Sequence, residues 1–104
     1  MRSKHRTDAN HSEIVKAFEA LDCSVVDLSA VASKSKRNIG VPDLLIGVGK
    51  RSELVEIKTT TGKESKSQIE FSEKWRGSVR YEVRSVADVV EVVMRIRAKI
   101  RGYV

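Results

Sequence analysis

The chain has 104 residues, 40% of them apolar and 33% charged, enough for one domain with a single modest core. Its formal net charge of +6 favours a polyanionic partner, and no apolar run is long enough to span a bilayer. One cysteine, Cys23, excludes an internal disulfide and suits a reducing, cytoplasmic compartment, where it would serve as a small buried hydrophobe.

Residues 1–9 read as a flexible basic tail without the apolar core of a signal peptide. Asn10 and Glu13 have capping-box spacing, and Ile14, Ala17, Phe18 and Leu21 follow at helical intervals, so a first helix is expected over about Ser12 to Leu21. Val25 to Leu28 is β-branched enough for a first strand. From Ser29 to Gly40 apolar density falls and Lys34, Lys36 and Arg37 appear, a basic loop able to contact phosphates.

Val41 to Val48 and Glu53 to Lys58 read as two strands joined by a hairpin turn at Gly49-Lys50-Arg51-Ser52. Thr59 to Lys66 is a polar loop containing Gly62, and Ser67 and Glu70 have the spacing to cap a helix that Gly77 ends. That helix carries Gln68, Phe71 and Trp75, the two aromatics expected in the core. A fourth strand is expected over Val79 to Val83. Ser85 and Asp88 then cap a last helix with the apolar stripe Val86, Val89, Val90, Val93, Ile96 and Ile100. The order αβββαβα predicts an α/β sandwich around a mixed four-stranded sheet.

Two strings interrupt the apolar strands with charge: Pro42-Asp43 and Glu56-Ile57-Lys58. Ionised groups are rarely buried unless they pair or bind metal. Strand alternation puts Glu56 and Lys58 on one face, and a hairpin centred near Lys50 brings Asp43 to them. Two carboxylates suit magnesium, which takes hard oxygen ligands and keeps several waters; the Ile57 carbonyl could add a backbone oxygen. A lysine beside them could hold a water or screen phosphoryl oxygens, which is what hydrolysis of a phosphodiester needs. The alternative on periodicity alone is a solvated strand face with Asp43 in a turn. His5 and His11, with one distant cysteine, assemble no zinc site. No nucleophile elbow or glycine-rich phosphate loop is present. Lys50, Arg51, Lys63 and Lys66 are further candidates for phosphate contact.

Pro42-Asp43 followed by Glu56-Ile57-Lys58 resembles the PD-(D/E)XK signature of the restriction-endonuclease-like superfamily. The helix string Asn10 to Ala17 and Gly40-Val41-Pro42-Asp43-Leu44-Leu45 are similar to the small VRR-NUC type, known from phages and from the end of larger repair nucleases. The resemblance spans roughly residues 6 to 88. It implies a restriction-endonuclease-like fold and a Mg²⁺- or Mn²⁺-dependent DNA endonuclease, with no small-molecule cofactor. It further implies that Asp43 and Glu56 ligate metal, that Glu13 assists the metal site, and that Lys58 is catalytic. Gln68 matches a glutamine that contacts site or substrate in related enzymes. Stand-alone members are similar to homodimeric junction-resolving enzymes, which implies branched DNA such as four-way junctions as substrate. A catalytically silent nucleic-acid-binding module of the same fold, and a restriction-type or exonuclease activity, are the alternatives.

Overall fold

The computed structural model describes residues 2–29, 39–59 and 62–102, with backbone alone for 2–9. The elements run α1 (Arg2–Ala20), β1 (Ser24–Asp27), β2 (Leu44–Val48), β3 (Arg51–Ile57), α2 (Lys66–Lys74), β4 (Tyr81–Val83) and α3 (Val86–Ile100). The four strands form one mixed sheet in the order β1-β2-β3-β4, antiparallel except for the parallel pair β3–β4. The chain is therefore α/β, and the expected order of elements holds among the described residues. The basic residues Lys34, Lys36 and Arg37 lie outside them.

The first helix begins ten residues earlier than its capping signal suggests, and residues 2–9 are helical rather than a flexible tail. That segment contains no glycine or proline and several good helix formers, so nothing in it stops the helix. Asn10 accordingly lies inside α1, not at its cap. The far end closes in a Schellman motif: Cys23 N donates to Phe18 O at 3.1 Å and Asp22 N to Glu19 O at 3.0 Å, with Asp22 left-handed at φ 68°. Ile14 and Phe18, one turn apart, are fully buried, and Cys23 joins them in the core as expected.

The β2–β3 hairpin turns through two residues, Gly49 and Lys50, at φ 55° and 71°. Both central residues at positive φ is the geometry of the hairpin-compatible type I′ turn. Arg51 and Ser52, expected in the turn, are already strand. The register pairs Leu44 with Val55, Ile46 with Glu53 and Val48 with Arg51. Leu44, Ile46, Val48 and Val55 thus share one face, all buried beneath α1 and α3. β2 is shorter than expected, so Pro42 and Asp43 fall in a bend just before it.

Both later helices depart from expectation in three respects. α2 is capped by Ser65, whose hydroxyl accepts from Gln68 N at 3.2 Å while the Gln68 side chain accepts from Ser65 N at 2.8 Å. Glutamine closes a capping box as well as glutamate does, so the helix starts earlier than the Ser67–Glu70 pair indicates and ends at the cap residue Trp75, before Gly77. Second, α2 buries none of its residues, and Trp75 is 48% exposed; the aromatics are not core. Third, α3 buries Val89, Val92, Val93 and Ile96, a true i, i+3, i+4, i+7 set. Val90 lies off that stripe, and Val86 and Ile100 extend it at the two ends of the helix; all three are exposed. Arg97 Nη2 donates to Leu21 O at 2.5 Å, tying α3 to the carbonyl end of α1, where a cation is favoured.

Candidate active site

The site is built on the sheet face opposite α1 and α3. Because Val55 and Ile57 point toward the core side, alternation turns Glu56 and Lys58 the other way. Both are nonetheless buried, at 2% and 5% exposure. Asp43 sits one step beyond the ladder pair Leu44–Val55, which places it across from Glu56. Its Oδ2 accepts from Ile57 N at 2.8 Å, and its carbonyl accepts from Leu28 N at 2.7 Å. The bend is thereby pinned on both sides.

Gln68 joins these groups from α2. Its Nε2 donates to Glu56 Oε2, and its Oε1 accepts from Lys58 Nζ at 3.0 Å. The capping role and the site role, alternatives on sequence alone, are performed together by one amide. Of the predicted residues, Asp43, Glu56, Lys58 and Gln68 are brought together, with the Ile57 backbone between them. Glu13 is exposed on α1, outside this cluster. Among the described residues no three carboxylate, imidazole or thiol side chains gather as a metal cage.

Two buried glutamates on β3 make an instructive contrast. Glu53, on the core face, has both oxygens occupied: Arg51 Nε donates to Oε2 at 3.1 Å and Ser78 Oγ to Oε1 at 3.0 Å. Glu56 Oε1 is buried with no hydrogen-bond partner. Burial pushes the Glu56 carboxyl up to about 8, Asp43 adds to the rise through its charge and as acceptor for the acid proton, and Lys58 and Arg80 pull it back. Once Glu56 is ionised, its Oε1 faces a second carboxylate with no donor of its own, and that is where a divalent cation fits. Asp43 and Glu56 supply two hard oxygens, leaving the remaining positions to water and a phosphate oxygen, as magnesium prefers.

Several residues of the site were not visible in the sequence. Arg80, whose side chain is 9% exposed, pairs with Glu64 and, at 3.1 Å, with Glu82; its Nε donates to Ser72 Oγ at 2.8 Å. Glu82 is the register partner of Glu56. Ser65 fixes Gln68 through the capping box. His11, expected beside a mobile tail, bonds Asp27 Oδ2 at 3.0 Å. Partial burial pushes the Asp27 carboxyl up, but Ser29 and the His11 ring outweigh it and hold it below its ordinary value.

Gly40 positions the two halves of the site. It stands at φ 85°, and a Cβ there would collide with the Ser67 carbonyl. The Pro42-Asp43 bend and the start of α2 can approach only because that atom is absent. Gly40→Ala is expected to push α2 from the sheet and break the Gln68 contacts, at a cost of about 1–3 kcal/mol for the backbone strain. A chemical-denaturation midpoint equal to that of the parent chain would refute this.

Searches among family models, curated proteins and solved structures found no match to this chain.

Proposed function

We propose that this chain is a metal-dependent nuclease that hydrolyses phosphodiester bonds in DNA, of the VRR-NUC type within the restriction-endonuclease-like superfamily. The observation that carries the reading is the convergence of Asp43, Glu56 and Lys58, with Glu56 Oε1 buried and unpartnered. The order αβββαβα and the mixed four-stranded sheet support the fold assignment.

Asp43 and Glu56 would hold Mg²⁺ or Mn²⁺, which when bound activates a water and stabilises charge on the phosphoryl oxygens. The Ile57 N–H fixes the Asp43 carboxylate so that its other oxygen faces the cluster. Gln68 fixes Glu56 and Lys58 relative to each other. Lys58 carries the positive charge that meets the scissile phosphate and orients the attacking water, whose oxygen joins phosphorus as the bond to the leaving oxygen breaks. The Ile57 carbonyl is an additional candidate for the metal's shell, on the family pattern; Glu13, exposed on α1, lies apart from it. The net charge of +6 supports an extended polyanion as substrate. Branched DNA, a homodimer and paired incisions at a four-way junction follow from the family resemblance. DNA as substrate and the unpaired Cys23 accord with a cytoplasmic protein, and no helix among the described residues is long and apolar enough to cross a membrane.

The test is incubation of labelled linear, flapped and four-way-junction DNA with Mg²⁺, Mn²⁺ or EDTA, beside Lys58→Ala. Cleavage should require the metal and fall about 10²- to 10³-fold in the variant, the usual cost of one preorganised charge at a reacting centre. Cutting in EDTA, or full activity in Lys58→Ala, would overturn the mechanism. Metal-independent DNA binding with no cutting under any condition would indicate the silent binding module instead.

A further inference from the structure

Beside the carboxylate cluster lies a groove of about 360 Å³ lined by Phe71, Ser72, Trp75, Gly77, Val79 and Arg80. We infer that this groove receives an unpaired base of the DNA strand being cut, next to the scissile phosphate; the inference rests on the nuclease reading above.

The rings of Phe71 and Trp75 stack at 5.3 Å between centroids and 18° between planes. They do so on a helix that buries nothing, so no core packing explains them. Trp75 is 48% exposed and Val79, which also lines the groove, 84%. Gly77 makes room for the indole: a Cβ there would lie 2.6 Å from Trp75 Nε1. The groove is thus a flat aromatic surface held open, of the kind on which nucleobases stack regardless of sequence.

Its placement selects the occupant. Gln68, Phe71 and Trp75 occur at i, i+3 and i+7, one face of α2. That face starts on Glu56 and Lys58 through Gln68 and reaches Trp75 roughly 10 Å further along the helix, at 1.5 Å per residue. This is a span of a nucleotide or two. Arg80 forms part of the wall together with its partners Glu64 and Glu82; two carboxylates against one guanidinium leave a net negative charge there, which suits an uncharged base and disfavours a phosphate. Base pairs within a duplex keep their faces stacked on each other, so only a splayed or single-stranded nucleotide can enter. Selectivity for branched or flapped substrates would then arise from this groove rather than from reading of base edges.

Trp75 is the only tryptophan, so its fluorescence reports on the groove directly. In EDTA, where no cutting occurs, a short oligothymidylate should quench that fluorescence, and a blunt two-stranded duplex with the same total number of nucleotides should not. Trp75→Ala should weaken oligothymidylate binding by about 5- to 100-fold, the usual range for losing one aromatic–base stack, and leave duplex affinity unchanged. Trp75→Phe should retain most of the affinity, and Gly77→Ala, which displaces the indole without removing it, should lose part of it. Absence of quenching, equal quenching by both probes, or an equal loss for both in Trp75→Ala would overturn the proposal. So would a Trp75→Ala chain that dissociates from dimer to monomer with its oligothymidylate affinity intact, since the groove would then seat a second copy. If the parent chain cuts DNA with Mg²⁺ but shows no quenching, the base subsite falls and the nuclease reading stands. Quenching without metal-dependent cutting removes the nuclease reading and, with it, the subsite's place beside a scissile phosphate.

Discussion

Asp43→Asn is expected to reduce metal-dependent cleavage at least about 10²- to 10³-fold while DNA affinity is kept or improved. The substitution preserves shape and leaves an amide oxygen to accept from Ile57 N, so the bend before β2 should survive. What it removes is the negative charge beside Glu56 and the hard oxygen that a magnesium ion needs. Loss of a carboxylate near the phosphate path also removes a repulsion, hence the retained affinity. The same change has a second consequence that needs no substrate. Asp43 helps to raise the Glu56 carboxyl, so its neutralisation should let Glu56 ionise more easily and should raise the melting temperature of the metal-free chain near neutral pH. Cleavage and binding assays with thermal melts in EDTA check both. Binding lost in proportion to cutting, together with a lower melting temperature, would give Asp43 a structural role instead.

The centre of the candidate site was legible in the sequence because it depends on short-range geometry. Alternation fixes Glu56 and Lys58 on one face as soon as β3 is recognised, and the Gly49-Lys50 turn sets the register that delivers Asp43. The outer parts depend on contacts between distant segments. Gly40 matters because of where the Ser67 carbonyl lies, and Arg80 because of Glu64, Ser72 and Glu82. Neither relation leaves a periodic trace. The aromatics misled for a related reason. Phe71 and Trp75 have the spacing of a core stripe, but the helix that carries them touches the sheet through Gln68 and leaves its apolar face beside the site, uncovered. Glu53 is the converse: a charge in an apolar strand that looks functional by composition, yet both its oxygens are satisfied by Arg51 and Ser78. Only the hydrogen-bond accounting separates it from Glu56.

Glu56 is the source of the strongest pH effect expected of this protein. The Glu56 carboxyl titrates near 8 in the folded chain, raised first by burial and then by Asp43, against 4.5 for an unperturbed glutamate. Between those values the folded chain holds a proton that the unfolded chain has released. Stability therefore falls as pH rises through this window, by up to about 1.4 kcal/mol per pH unit. The penalty is absent below 4.5 and complete above 8. The depressed Asp27 acts below 3.8 and the burial-raised Cys23 above 9, so neither shift intrudes on the window. In EDTA the melting temperature should decline from pH 5 to pH 8, each kcal/mol amounting to about 4–8 °C in a domain of this size. Glu56→Gln should abolish most of that decline, because the amide cannot ionise and its oxygen still accepts from Gln68. It should also abolish cleavage. Mg²⁺ binds the ionised form, so at pH 8 it should raise the melting temperature of the parent chain, by mass action, and leave that of Glu56→Gln unmoved. A melting temperature of the metal-free parent that stays level across the window, or one that Glu56→Gln follows step for step, would place the titrating group elsewhere. If the decline appears and Mg²⁺ fails to reverse it, Glu56 is a strained buried acid and the cation binds somewhere other than this pair.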